Sequence, residues 1–188
     1  ADVLAALRLL SGKFDCFALL ASDKQNEISK TELTRALKCG VNLISNLTQN
    51  GEFDCIIDGI FGTGLSRELD ERTINLINLL NAKPAYKLAC DIPSGLDKNG
   101  VPQGAVFKAD TTVTMGALKL ALYSDFAKDF VGRVKVANLG FSRELYETGT
   151  SFYKLGKSDL NLPFRVKQNA NKGDFGHAFV VSGEKGGA

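Results

Sequence analysis

The sequence predicts an α/β fold in which a mainly parallel sheet carries helices on both faces. Two observations predict it. Short apolar runs with strand character alternate with amphipathic helical stretches along residues 1–141, and such alternation argues for parallel strands joined by helical crossovers. Glycine-bearing turns with acids follow two of the strand-like runs, and open α/β sheets bind ligands beyond the carboxyl ends of their strands.

Asp2 to Leu10 (DVLAALRLL) has an apolar helical stripe headed by an acid, which suits the positive end of a helix dipole. Phe14 to Ala21 is an apolar run bounded by Ser11-Gly12 and Ser22-Asp23-Lys24, and reads as a buried strand. Ser29-Lys30-Thr31-Glu32 has capping-box spacing and Cys39-Gly40 supplies a stop, so a second helix is expected between them. Val41 to Ile44 and Phe53 to Ile57 (FDCII) read as strands, and Arg72 to Leu80 (RTINLINLL) as a helix closed off by Pro84. Tyr86 to Ile92, Thr111 to Met115 and Gly132 to Ala137 supply three more strands. Beyond Ser142 the pattern turns polar and weakly periodic, which predicts a linker, before the strand-like run His177 to Val181 (HAFVV). The expected division is 1–147, a linker over 148–170, and the start of a second domain over 171–188. The chain opens on a helical pattern without Met and stops just past a strand-like run, so both ends are expected to be cut, with the first strand of the sheet lying before Ala1.

The 188 residues suffice for a packed core. With 44% hydrophobic and 23% charged residues and only 4 Pro, the composition is that of a globular protein. A net charge of +2 with interspersed signs gives no electrostatic support for nucleic-acid binding. No run approaches the roughly 18 apolar residues that cross a bilayer, and a cytoplasmic protein without membrane contact is expected. Cys16, Cys39, Cys55 and Cys90 are too widely spread for a zinc knuckle and read as buried reduced thiols. His177, the one histidine, reads as structural.

Three strand ends offer chemistry. Asp58-Gly59-Ile60-Phe61-Gly62-Thr63-Gly64-Leu65-Ser66-Arg67 follows FDCII directly. Its glycines permit positive φ and close approach, and consecutive N–H groups near a helix start suit a phosphate or pyrophosphate; the alternative is a tight strand-to-helix turn. Asp91-Ile92-Pro93-Ser94-Gly95-Leu96-Asp97 ends the next strand, where carboxylates and a hydroxyl can hold a hard cation or move a proton, or else Asp91 and Asp97 cap turns. Lys119 follows a third strand end and either faces the same crevice or is solvated. A nucleophile elbow, a P-loop, an H-E-x-x-H and a G-x-G-x-x-G turn with its distant acid are all absent.

Taken together, IIDGIFGTGLSRELD at 56–70, ACDIPSGLDKNGVPQGAVFKADTTVTMGALKLAL at 89–122 and GRVKVANLGF at 132–141 resemble the NAD(P)H-hydrate epimerase family. The resemblance implies a Rossmann-like domain that interconverts the R and S forms of hydrated NADH or NADPH. By that resemblance Asp58 and Ser94 would be potassium ligands. Gly62, Thr63, Gly64, Leu65, Ser66, Arg67 and Glu68 would hold the substrate's phosphates, and Asp91 would contact the hydrated nicotinamide and move the proton. Ala1-Asp2 resembles the end of the family's Asn-Asn-Gly-Gly-Asp loop, which adds Asp2 to the substrate-binding set and places an asparagine ligand of the potassium ion before residue 1. Residues 172–183 with Gly186-Gly187-Ala188 resemble the opening strand and glycine-rich loop of the ADP-dependent NAD(P)H-hydrate dehydratase, a ribokinase-like fold that uses ADP and Mg2+. The catalytic Asp of that family is not among these residues. A bifunctional repair enzyme, a homo-oligomer acting on a small molecule, is the implied whole. A dinucleotide-binding oxidoreductase and a non-catalytic binding or scaffolding domain are the competing readings.

Overall fold

A computed structural model describes residues 1–22, 24–47, 52–145, 149–160, 164, 166–180 and 183. The chain divides into two compact units, Ala1–Thr148 and Gly149–Ala188.

The first unit runs α1 (Asp2–Leu10), β1 (Phe17–Leu19), α2 (Glu27–Lys38), β2 (Asn42–Ile44), β3 (Cys55–Asp58), α3 (Glu71–Ala82), β4 (Tyr86–Cys90), β5 (Thr111–Met115), α4 (Lys128–Val131) and β6 (Arg133–Ala137). Every strand pairing is parallel, as the alternation of elements requires. The expected single sheet is, however, in two pieces: β1 pairs with β2, and β3-β4-β5-β6 form a second sheet in sequence order. No ladder hydrogen bond joins β1 to β3. Across this division the Phe17 and Phe53 rings meet edge to face with centroids 5.8 Å apart.

Helix starts follow local polar chemistry. The Asn26 side chain accepts from Ser29 N at 2.8 Å and caps α2. The sequence pointed to Ser29 as the cap; Asn26 takes that place because Ser29 already lies in the first turn, where its N–H needs an acceptor. Asp70 caps α3 in the same way through Thr73 N. Ile77 and Leu80 of α3 then pack with Leu65, Leu69, Ala89 and Phe107. A second cluster, built on Ile92, Leu96, Leu122 and Val131, lies under the β4–β5 connection.

The four cysteines are free, but only Cys16 and Cys90 are buried; Cys39 ends α2 and Cys55 begins β3, and both are exposed, which corrects the expectation of four buried thiols. Among the described residues no helix is long and apolar enough to cross a membrane.

In the second unit the described residues form short turns at Lys157–Asp159 and Lys172–Phe175, the latter fixed by Asn171 and Asp174, which cap each other's backbone. The expected strand at His177–Val181 is not seen: 177–180 are irregular and exposed, and Val181 lies outside the described residues. No described segment pairs with them, and a strand without a neighbour leaves its N–H and C=O groups to water. His177 is accordingly exposed rather than packed.

Candidate functional site

Asp58 is the last residue of β3, Asp91 follows β4 directly, and Lys119 lies four residues past β5. Because these strands are parallel neighbours, their carboxyl ends bring the three residues to one edge of the sheet. Asp2 reaches the same edge from the start of α1. A Cβ on Gly59 would lie 2.3 Å from Val3 Cγ2, so α1 packs directly on the turn after β3. The buried Cys90 thiol marks the convergence: burial chiefly, then the charges of Asp2, Asp91 and Asp58, push it up to about 11.

Asp58 and Ser94 form a buried knot. Asp58 Oδ1 accepts from Ser94 Oγ at 2.6 Å and from Ile60 N at 3.2 Å, while Oδ2 accepts from Ser94 N at 2.7 Å. Ser94 Oγ also accepts from Phe61 N at 2.9 Å, and Ser94 O accepts from Phe107 N. The turn that holds Ser94 is fixed at Gly95, where φ is +101° and a Cβ would meet Ala105 O at 2.1 Å; only glycine fits there. Asp58 is 2% exposed, and burial, only partly offset by these hydrogen bonds, pushes its carboxyl up to about 6. No described Lys or Arg is paired with it. At neutral pH it is a buried, mostly ionised carboxylate without a protein cation.

Asp91 is held differently. Its φ of +70° is the only positive value among the described non-glycine residues, a conformation that persists only where the surroundings impose it. Its Oδ1 accepts from Lys119 Nζ at 2.5 Å, Met115 N at 3.0 Å and Thr114 Oγ1 at 3.3 Å. Its Oδ2 has no hydrogen-bond partner among the described residues. Asp97, by contrast, caps its own turn by accepting from Asn99 N and Val101 N.

The loop after β3 is anchored by two buried side chains, Leu65 and Leu69, with Gly62, Thr63, Gly64, Ser66, Arg67 and Glu68 exposed between and before them. Leu65 therefore offers a ligand only its backbone. The N–H groups of Gly62, Thr63 and Gly64 have no protein acceptor among the described residues, an arrangement that can cradle an anion. Two details differ from the sequence reading. Neither Gly62 nor Gly64 adopts positive φ, and each faces open space rather than a close neighbour. The helix start is not the anion site either, because α3 begins only at Glu71 and the Asp70 carboxylate already occupies its N-terminus.

Lys119, left open by the sequence, is placed on Asp91. Sequence reasoning missed Thr114 and the Met115 N–H as its companions; the alternation of side chains along β5 was the available signal for Thr114. An open niche of about 310 Å3 beside this cluster is lined by Met115, Gly116, Ala117, Leu118, Lys119 and Leu139.

Residues 1–121 match the family described as YjeF-related protein N-terminus. The chain is 41% identical over 191 residues to the bifunctional NAD(P)H-hydrate repair enzyme Nnr of Helicobacter pylori, an alignment covering 100% of this chain and 41% of that protein. It is 36% identical over 143 residues to the NAD(P)H-hydrate epimerase of Oenococcus oeni, covering 74% of this chain and 68% of that protein. With the bifunctional repair enzyme Nnr of Escherichia coli it shares 34% identity over 146 residues, 77% of this chain and 28% of that protein. The chain thus spans about two-fifths of the length of the Helicobacter relative. An acid at each of two neighbouring strand ends, a serine knotted to one of them and these matches point the same way: the chain belongs to the YjeF-related N-terminal domain family.

Proposed function

We propose that the protein is an NAD(P)H-hydrate epimerase, interconverting the R and S forms of hydrated NADH and NADPH. The observation that carries this reading is Asp91, anchored through Oδ1 and open at Oδ2, at the same sheet edge as the turn after β3, whose Gly62, Thr63 and Gly64 N–H groups have no protein acceptor among the described residues. The names of the Oenococcus and Helicobacter relatives supply the substrate.

The reacting carbon of such a substrate bears the added hydroxyl and is bonded to the ring nitrogen. Its configuration is lost either by ring opening, with C–N cleavage, or by departure and return of the hydroxyl as water. Both routes move a proton at the hydroxyl oxygen. In this reading Asp91 Oδ2, which has no hydrogen-bond partner among the described residues, takes that proton and gives it back. The Gly62–Glu68 loop holds the phosphates through its backbone N–H groups, with Arg67 as the cationic side chain, and Asp2 borders the same crevice.

Asp58 and Ser94 suit a potassium ion. Their donors are all oxygen, the carboxylate is buried without a protein cation, and no three His, Cys, Asp or Glu side chains gather as a transition-metal site among the described residues. When bound, potassium would balance the Asp58 charge and orient substrate oxygens, its single diffuse charge making it a weak Lewis acid. Residues 149–188 are proposed to lead into an ADP- and Mg2+-dependent dehydratase half, in keeping with the bifunctional Helicobacter relative that matches across the whole chain.

The test is interconversion of R- and S-NADHX, followed by NMR or chromatography on the full-length protein with and without potassium. Asp91→Ala is expected to lower the rate by about 100-fold or more, the range for loss of a positioned acid–base group. A wild-type protein that binds hydrated NADH or NADPH but gives no interconversion would establish a binding domain instead.

A further inference from the structure

We infer that Lys119 is a positioning residue for Asp91, locking one carboxylate oxygen so that the other is presented to the ligand; this rests on the epimerase reading. The ammonium has its three N–H groups directed at three acceptors: Asp91 Oδ1 at 2.5 Å, Thr114 Oγ1 at 2.8 Å and Met115 O at 3.2 Å. With its donors committed, Lys119 acts on a ligand through Asp91 rather than by a hydrogen bond of its own.

The backbone is shaped to bring it there. Gly116 takes φ +72° and donates to Ala137 O, and Ala117 N donates to Met115 O, so the chain after β5 turns back over the strand end. Thr114, fully buried, bridges the cluster by accepting from Lys119 and facing Asp91 Oδ1.

Two features distinguish this from an ordinary surface ion pair, which contributes little. The side chains of Lys119 and Asp91 are 25% and 21% exposed, so the pair is largely shielded. All three donors converge on Oδ1 and none on Oδ2; a pair serving the fold alone gains by satisfying both oxygens. The arrangement also fixes a carboxylate whose own backbone is in the left-handed region, and Lys119 lines the open niche beside it. The device is a rigid carboxylate with one working oxygen.

The test compares Lys119→Met, which keeps the length of the side chain without its donors, with Lys119→Arg in the full-length protein. Misplacement of a reacting group by about 1 Å can cost on the order of 100-fold in rate, so Lys119→Met is expected to lose about 10- to 100-fold in kcat. KM should change less than about threefold, since substrate binding elsewhere is untouched. Lys119→Arg should recover part of the loss, and thermal melts of both should stay near the wild type. Crystal structures supply a second readout, in which the Asp91 carboxylate of Lys119→Met leaves its wild-type rotamer. Unchanged kcat in Lys119→Met, or equal losses in both variants accompanied by equal falls in melting temperature, would overturn the inference. A wild type without interconversion would sink the epimerase reading; the inference is then decided by the crystal structures, where an unmoved Asp91 carboxylate in Lys119→Met overturns it.

Discussion

In potassium-free buffer the burial of Asp58 should make the fold lose stability as the pH rises through the weakly acidic range. Burial moves this carboxyl from 3.8 to about 6. Each tenfold change in proton affinity corresponds to about 1.4 kcal/mol, so ionising Asp58 costs about 3 kcal/mol more in the fold than in the unfolded chain. The folded carboxyl binds its proton more tightly than the unfolded one. Between about pH 4 and pH 6 the native state therefore carries the extra proton, stability falls with rising pH, and the loss is complete above about pH 6. Glu32, Asp70 and Asp125, held below the usual carboxylate range chiefly by hydrogen bonds from Arg35, Thr73 and Lys128, slope the other way, so the wild type alone would mix opposing effects. The comparison that isolates Asp58 is with Asp58→Asn, which keeps the shape and cannot titrate. Its amide nitrogen meets the Ser94 N–H, a cost that does not vary with pH. Urea unfolding followed by circular dichroism is the assay, since the chain has no Trp. The wild type should lose about 3 kcal/mol relative to the variant across this window. Added potassium should restore part of it at neutral pH in the wild type alone. Parallel stability curves for the two proteins would refute both the buried charge and its cation.

Gly59→Ala would place a Cβ 2.3 Å from Val3 Cγ2; because Val3 is stiff at χ1, a loss of about 1–3 kcal/mol is expected, as for overpacking, and Val3→Ala should restore most of it in the same unfolding assay. Native-state thiol titration with a disulfide reagent should detect the exposed Cys39 first and the exposed Cys55 more slowly, since partial burial and then the charges of Asp110 and Asp54 raise the Cys55 thiol. Cys16 and Cys90, buried and with thiol pKa values raised chiefly by that burial, should react only after unfolding, and rapid reaction of Cys90 in the native protein would contradict the geometry around it.

What the sequence by itself determined was the kind of element at each place and the identity of the chemistry-bearing strand ends. Helical stripes from Asp2 to Leu10 and from Arg72 to Leu80, and apolar runs at Thr111 to Met115 and Tyr86 to Ile92, are local patterns, and local patterns survive in the fold because burying one face is what stabilises each element. Asp58, Asp91 and Ser94 could be singled out because parallel strands end at one edge of their sheet.

Only the tertiary structure decided which of these groups touch. Ser94 meets Asp58 across 36 residues of chain and Lys119 meets Asp91 across 28; no spacing rule reaches that far, because the contact depends on strand register. Burial likewise separated Cys16 and Cys90 from Cys39 and Cys55, and took the side chain of Leu65 out of the loop otherwise open to a ligand. The run at 177–180 has strand composition and no strand among the described residues: periodicity states what a segment can pair as, and a neighbour has to be in place before it does.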